Sequence, residues 1–157
     1  MPLSPTLKQY LDEHHVMYDT TRHRRTVSSS RTAQAAHVRG DTLVKSVILK
    51  DDAGRFVLAA MPATHRLDIG KLDRQLHRSL GLATETELAE LFRDCDLGAI
   101  PPVGSAYGVE TVMDDSLTEP ADVYFEAGDH EELVHMSSEQ FRLLMSGVQH
   151  FPLSHHV

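Results

Sequence analysis

The sequence predicts an α+β domain with a mixed, mostly antiparallel sheet, and three observations carry that reading. Two runs rich in Val, Ile, Leu and Phe, residues 44–50 and 55–61, flank Asp51-Asp52-Ala53-Gly54, a turn with hairpin chemistry. Helical patterns are interspersed with short strands, without the regular strand–helix alternation of a doubly wound parallel sheet. The bulk composition, 157 residues with 41% apolar and 24% charged side chains, suits one domain over residues 1–157 with a substantial core.

Ser4-Pro5 opens a first helix, since serine caps and proline is tolerated in the first turn; Leu7, Tyr10, Leu11 and His14 then share one face. Residues 16–21 read as a short strand. Ser28, Ser29 and Ser30 offer caps for a second helix through Ala33, Ala35 and Ala36, with Gly40 as its stop. The hairpin follows. Residues 68–80 read as a helix with Ile69, Leu72, Leu76 and Leu80 on one side. Thr84-Glu85-Thr86-Glu87 is a capping box before Leu88, Leu91 and Phe92. Pro101-Pro102 and Gly104 mark a rigid loop. Residues 111–113, 123–127 and 133–136 are short strands. Ser137 with Gln140 caps a last helix over 139–145, and from about residue 147 the chain reads as a flexible tail.

No apolar run approaches the roughly 20 residues of a membrane-spanning helix. The N-terminus lacks the basic and apolar regions of a secretory signal. Cys95 is the single cysteine, so no internal disulfide forms, and a cytoplasmic setting is expected. The net charge of −8 argues against a large nucleic-acid footprint. It is unevenly spread, however. Residues 1–80 hold 13 Lys and Arg against 8 Asp and Glu; residues 81–157 hold 2 against 15. Such asymmetry gives one face that tolerates phosphates, unless the two halves interleave in space.

Three features could carry chemistry. Lys45 lies in Leu43-Val44-Lys45-Ser46-Val47-Ile48-Leu49, sharing a face with Leu43, Val47 and Leu49 by alternation. Burying an ammonium is expensive unless it is paired, which points to a cleft where the charge meets an anion or ester oxygen. An edge-strand lysine reaching to water is the ordinary reading. Gly98-Ala99-Ile100-Pro101-Pro102-Val103-Gly104 combines prolines that fix the chain with glycines that allow close backbone approach. It is either a ligand-facing loop or a plain connector. Ala127-Gly128-Asp129-His130 places Asp and His at a strand end, as a polar site or as an Asx-type turn with a surface histidine.

Other features are weaker. Eleven histidines include no His-Glu-x-x-His motif, and no metal site or cofactor is expected. Ser105 is not in a nucleophile elbow, and Cys95 has no evident activating partner. Arg22-His23-Arg24-Arg25 is a compact basic cluster able to contact phosphate oxygens, or a solvated charged turn.

Taken in order, these elements resemble the YbaK/ProX family, the editing domain also inserted in bacterial prolyl-tRNA synthetases. The resemblance rests on the His-led segment from His23, the small-residue stretch around Ala33 to Ala36, and Val44-Lys45-Ser46-Val47. It continues through Leu58-Ala59-Ala60-Met61-Pro62-Ala63, the glycine–proline loop, the Gly128 turn and Phe141-Arg142-Leu143-Leu144. It implies a sheet curled into a partial barrel with flanking helices, and deacylation of mischarged aminoacyl-tRNA. Lys45 stands where the family has its essential lysine. His23, Ser46, Gly98, Ile100, Pro102, Gly104, Gly128, Asp129 and His130 would bind the aminoacyl ester, and Arg22, Arg24 and Arg25 the tRNA. The implied partners are the aminoacyl-tRNA 3′ end and, secondarily, a synthetase, with no membrane. The implied chemistry uses no enzyme nucleophile: water or a substrate group attacks, and Lys45 with backbone donors stabilises the oxyanion. Some relatives carry a serine just before the glycine turn, where this chain has Glu126-Ala127; the expectation is therefore a small amino acid such as Ser, Thr or Ala. The rival readings are a non-catalytic aminoacyl-tRNA- or synthetase-binding module of the same fold, and a hydrolase of another small ester.

Overall fold

A computed structural model describes residues 3–24, 32–34 and 36–157. Helix α1 (Pro5–Glu13) begins as its sequence dictates, with the Ser4 hydroxyl accepting from the Leu7 N–H and Pro5 in the first turn. Its Leu7 and Leu11 are fully buried. Strand β1 (Asp19–Arg22) follows.

The hairpin forms the centre of the molecule. Strands β2 (Leu43–Asp51) and β3 (Phe56–Pro62) pair antiparallel from Val44↔Pro62 to Lys50↔Phe56. Asp51 locks the turn, its carboxylate accepting the Ala53 and Arg55 N–H groups, and Gly54 supplies the left-handed residue (φ 84°). Then come β4 (His65–Leu67), α2 (Ile69–Leu76), β5 (Leu80–Leu82) and α3 (Glu85–Leu91). Strands β6 (Glu110–Asp114), β7 (Asp122–Glu126) and β8 (Glu132–Ser137) lead to α4 (Ser138–Leu144), β9 (Gln149–Phe151) and β10 (Ser154–His156).

The large sheet has the order β1-β8-β7-β2-β3-β6-β9, with β5 also pairing β2; β4 and β10 make a separate ribbon. The β1–β8, β7–β8, β2–β3 and β2–β5 pairs are antiparallel, and β2–β7, β3–β6 and β6–β9 are parallel. The mixed, mostly antiparallel α+β architecture read from the sequence is thus the observed one, and the sheet stays open between edges β1 and β9.

Two expected elements differ. The helix expected over 68–80 stops at Leu76, because His77 turns left-handed (φ 54°) and the Asp73 carboxylate accepts the Leu80 N–H. Leu80, which continues the helical apolar spacing, belongs to β5. The stretch from 147, read as a tail, carries β9 and β10. The buried Asp114 carboxylate accepts the Leu153 and Ser154 N–H groups and fastens that segment. The helix expected after Ser28 falls largely outside the described residues; Thr32 to Gln34 are helical, and the Val38 N–H reaches the Ala33 carbonyl.

Both faces of the sheet are covered. One face packs Val44, Ile48, Leu58, Val123, Phe125 and Val134 against Leu7 and Leu11 of α1, Phe92, Ile100, and Phe141 and Leu144 of α4. The other face carries two separate apolar clusters. Leu49, Val57, Ala59 and Met61 pack with Leu72 and Leu153; Leu43 and Leu133 pack with Ala33. Lys45 lies on this second face, between them along β2.

Candidate functional site

β2 is the strand on which the site is built. On the side away from β3 it pairs with β7 at Leu43 and Val44, and with β5 from Leu49 to Asp51. Into the interval comes the glycine–proline loop: the Ser46 hydroxyl donates to the Ile100 carbonyl at 3.0 Å. Ile100 sends its side chain into the main core, and Ala99, Pro101 and Pro102 are buried. The loop is therefore fixed by packing while its backbone stays at the sheet.

The loop and the glycine turn are fastened to each other. The Gly128 N–H donates to Ala99 O (3.0 Å), the Asp96 N–H to Gly128 O (2.7 Å), and His130 Nε2 lies 2.7 Å from Leu97 O. A carbonyl only accepts, so Nε2 of His130 carries the hydrogen, and Nδ1 of the neutral ring is left as an acceptor. Gly98 and Gly128 both adopt positive φ, 85° and 109°. A side chain at Gly128 would also meet Ser4 Cβ at 2.8 Å, where the chain enters α1. Asp129 makes the Asx-type turn, accepting the Glu131 and Glu132 N–H groups at 3.0 Å each.

Lys45 is half-buried, and its ammonium donates to the His65 carbonyl. Burial, then the Arg66 charge, holds its pKa below the usual lysine range. It opens on a cavity of about 550 Å³ with Val47, Thr64, Arg66 and Leu82. Ser46, the loop and the turn are thus joined by hydrogen bonds. Lys45 adjoins them through the backbone, with its ammonium on the face opposite Ser46. Gly104 serves packing: a Cβ there would meet Thr111 Oγ1 at 2.2 Å and Val109 O at 2.7 Å.

His23 is buried, with Nδ1 donating to the Arg24 carbonyl at 2.7 Å and Nε2 3.7 Å from Glu126 Oε1. Arg22 and Arg24 are exposed, and Arg25 lies outside the described residues. Among the described residues, no group of three or more His, Cys, Asp or Glu could hold a metal ion, and no helix is long and apolar enough to cross a membrane.

A family model, the aminoacyl-tRNA editing domain, matches residues 23–144. The chain belongs to this family. The structure is also similar to a "putative trans-editing enzyme for prolyl tRNA synthetase" (24% identity, TM-score 0.84, covering 99% of this chain and 98% of that one). A crystal structure of a hypothetical protein matches with 21% identity and a TM-score of 0.85, over 96% of this chain and 99% of that one. At these identities the likeness speaks for the fold. No curated protein matches.

The editing domain brings a further residue to the site that the sequence reading passed over. Leu43↔Tyr124 and Val44↔Phe125 are paired, so the next step along these parallel strands sets Glu126 beside Lys45 on the same face. Glu126 is buried, and its carboxyl is pushed up to about 8, by burial first and by the Asp129 charge, with the Thr32 hydroxyl pulling the other way. The signal was present in Val123-Tyr124-Phe125-Glu126, where alternation puts Glu126 with Tyr124 and away from Phe125. Cys95 is no nucleophile: burial drives its thiol up to about 12, and it sits 3.1 Å from the Tyr107 hydroxyl in a network with Asp94.

Proposed function

We propose that the protein is a trans-editing hydrolase that deacylates mischarged aminoacyl-tRNA bearing a small amino acid such as Ser, Thr or Ala. The observation that carries this reading is the mutual fastening of the 96–100 loop and the Gly128 turn beside Ser46 and Lys45. It supports a rigid, backbone-lined cleft at which an ester can be held in one orientation. In this reading Lys45 binds the ester region and stabilises the oxyanion. Backbone groups of the 98–102 loop approach the ester, and Asp129 and His130 frame the amino-acid side. His130, with Nδ1 as acceptor, orients the attacking water or substrate hydroxyl. His23 and Ser46 complete the amino-acid pocket, and exposed Arg22 and Arg24, with Arg25 beyond them in sequence, meet phosphates. The acidic net charge favours a small footprint confined to the tRNA 3′ end, with a synthetase as a further partner supplying the rest of the tRNA affinity.

The test is incubation with a panel of mischarged tRNAs, repeated with Lys45→Ala. Release of the small amino acids is expected, with Lys45→Ala lowering kcat/KM by about 10²–10³-fold. No release from any tRNA would instead support the binding-module reading, and release that survives Lys45→Ala would remove the role given to that residue.

A further inference from the structure

His23, placed above in the amino-acid pocket, faces a residue that the reading above leaves unused, Glu126. Among the described residues, His23 Nε2 and the Glu126 carboxyl oxygens are buried with no hydrogen bond of good geometry, the Thr32 hydroxyl acting on the carboxyl. The side chains are 0% and 8% exposed, and the two groups face each other at 3.7 Å. Buried polar atoms are ordinarily matched, so this cluster at the end of a rigid strand calls for a ligand group. Because His23 Nδ1 donates to Arg24 O, its Nε2 is an acceptor in the neutral ring. A separation of 3.7 Å is too long for a direct hydrogen bond, yet a third atom at ordinary hydrogen-bond distance from both sides closes the triangle.

Position says which atom. Glu126 is next in register to Lys45, and neighbouring strands lie about 4.8 Å apart. If Lys45 takes the ester oxygen, the substituent of the same two-carbon unit that offers N–H donors is the α-amino group, and Glu126 lies on the Lys45 face to receive it. An amine carries several N–H donors and so answers both acceptors at once. We propose that the His23–Glu126 pair receives the α-amino group of the aminoacyl ester, making Glu126 a substrate-binding residue that selects esters with a free amine. This inference rests on the deacylase reading. The proton balance is simple: Glu126 keeps its proton near neutrality, and a neutral amine takes that proton to give an ammonium held by the carboxylate, with none gained or lost overall. Ala127 and the Gly128 turn follow directly, so the amine end lies beside the backbone fastened to the 96–100 loop.

The experiment compares a mischarged tRNA with its N-acetylated form, for wild type and Glu126→Gln. Wild type is expected to lose about tenfold or more in kcat/KM on acetylation, the worth of a hydrogen bond to a charged group. Glu126→Gln is expected to slow the free-amine substrate by a similar factor while leaving the acetylated one nearly unchanged. Equal wild-type rates on both substrates would overturn the inference. So would a variant that keeps the acetyl discrimination but changes the ranking of Ser, Thr and Ala, which would make Glu126 a side-chain contact. An arm independent of hydrolysis and of the variant's folding uses wild type with a non-hydrolysable 3′-aminoacylamino-3′-deoxyadenosine. The Glu126 carboxyl carbon is expected to shift in NMR with the free amine and not with its N-acetyl derivative; no shift with either would overturn the inference. Failure of wild type to deacylate any tRNA, with this shift intact, would overturn only the hydrolase reading.

Discussion

The two faces of strands β2 and β7 are made of the same backbone and have opposite chemistry. One presents Val44, Ile48, Val123 and Phe125 to a continuous core that reaches α1 and α4. The other presents Leu43, Lys45, Tyr124 and Glu126, where apolar packing divides into two clusters. The difference teaches how a sheet carries a site: period-two alternation lets one set of residues stabilise the strands while the interleaved set is released from that duty. The sharpest way to break the comparison is to swap one residue from each face. Phe125→Ala is expected to cost about 3–5 kcal/mol of stability, through lost burial and the cavity left beside Phe141. Lys45→Ala is expected to leave the melting temperature nearly unchanged while removing activity. Denaturant unfolding and deacylation rates on both variants check this, and a strongly destabilised Lys45→Ala would make that residue structural.

The second face should also answer to pH. Glu126 is pushed up to about 8 from an ordinary 4.5. A carboxyl raised in the folded state contributes stability that is fully present below 4.5 and is lost as pH rises to about 8. The swing is on the order of 5 kcal/mol. Glu126→Gln, which mimics the neutral acid, should flatten the stability profile across that window. A profile of unchanged slope in the variant would show that the carboxyl is ionised in the folded protein.

Gly128 tests the junction between the faces. Its φ of 109° and the 2.8 Å approach to Ser4 Cβ leave no room for a side chain. Gly128→Ala is expected to cost about 1–3 kcal/mol, and to lower activity further by loosening the bond to Ala99 O. Full activity at an unchanged melting temperature would detach the turn from the site.

Much of this was legible in the sequence, for reasons that can be named. The hairpin around Asp51, the Ser4 cap and the Thr84–Glu87 capping box are local, and each formed where its residues said it would. The placing of Lys45 opposite Val44 and Ile48 needed only alternation. Strands β4, β9 and β10 were illegible because three residues give no alternation to measure; β9 and β10 depend on the distant Asp114 carboxylate. The truncated helix misled because His77, and not glycine, makes the left-handed stop. At the site, the loop and turn could be picked out singly, but their mutual hydrogen bonds and the Lys45–Glu126 adjacency depend on strand order, which no local pattern encodes.

The smallest expected effect lies at the outer edge of the second face. His135 stacks on Tyr124, with ring centroids 4.6 Å apart, and sits between two carboxylates, 2.7 Å from Asp19 and 2.9 Å from Asp122. Burial pulls its pKa down, but hydrogen bonds to Asp122 and Asp19 outweigh it, and the net shift is upward. Both ring nitrogens donate only in the imidazolium, so protonation ties edge strand β1 to β7 across β8. The sign is that of a raised histidine: the contribution is complete below about 6.5 and fades as pH rises through the higher folded value. With exposed aspartates it should amount to at most about 1 kcal/mol and weaken in high salt. His135→Gln should remove this upper-pH loss and leave the loss assigned to Glu126 in place. Because the two groups sit on one face but act through separate partners, their pH effects should add in the double variant; a non-additive result would mean that the edge clamp and the buried carboxyl are coupled through Tyr124 and β7.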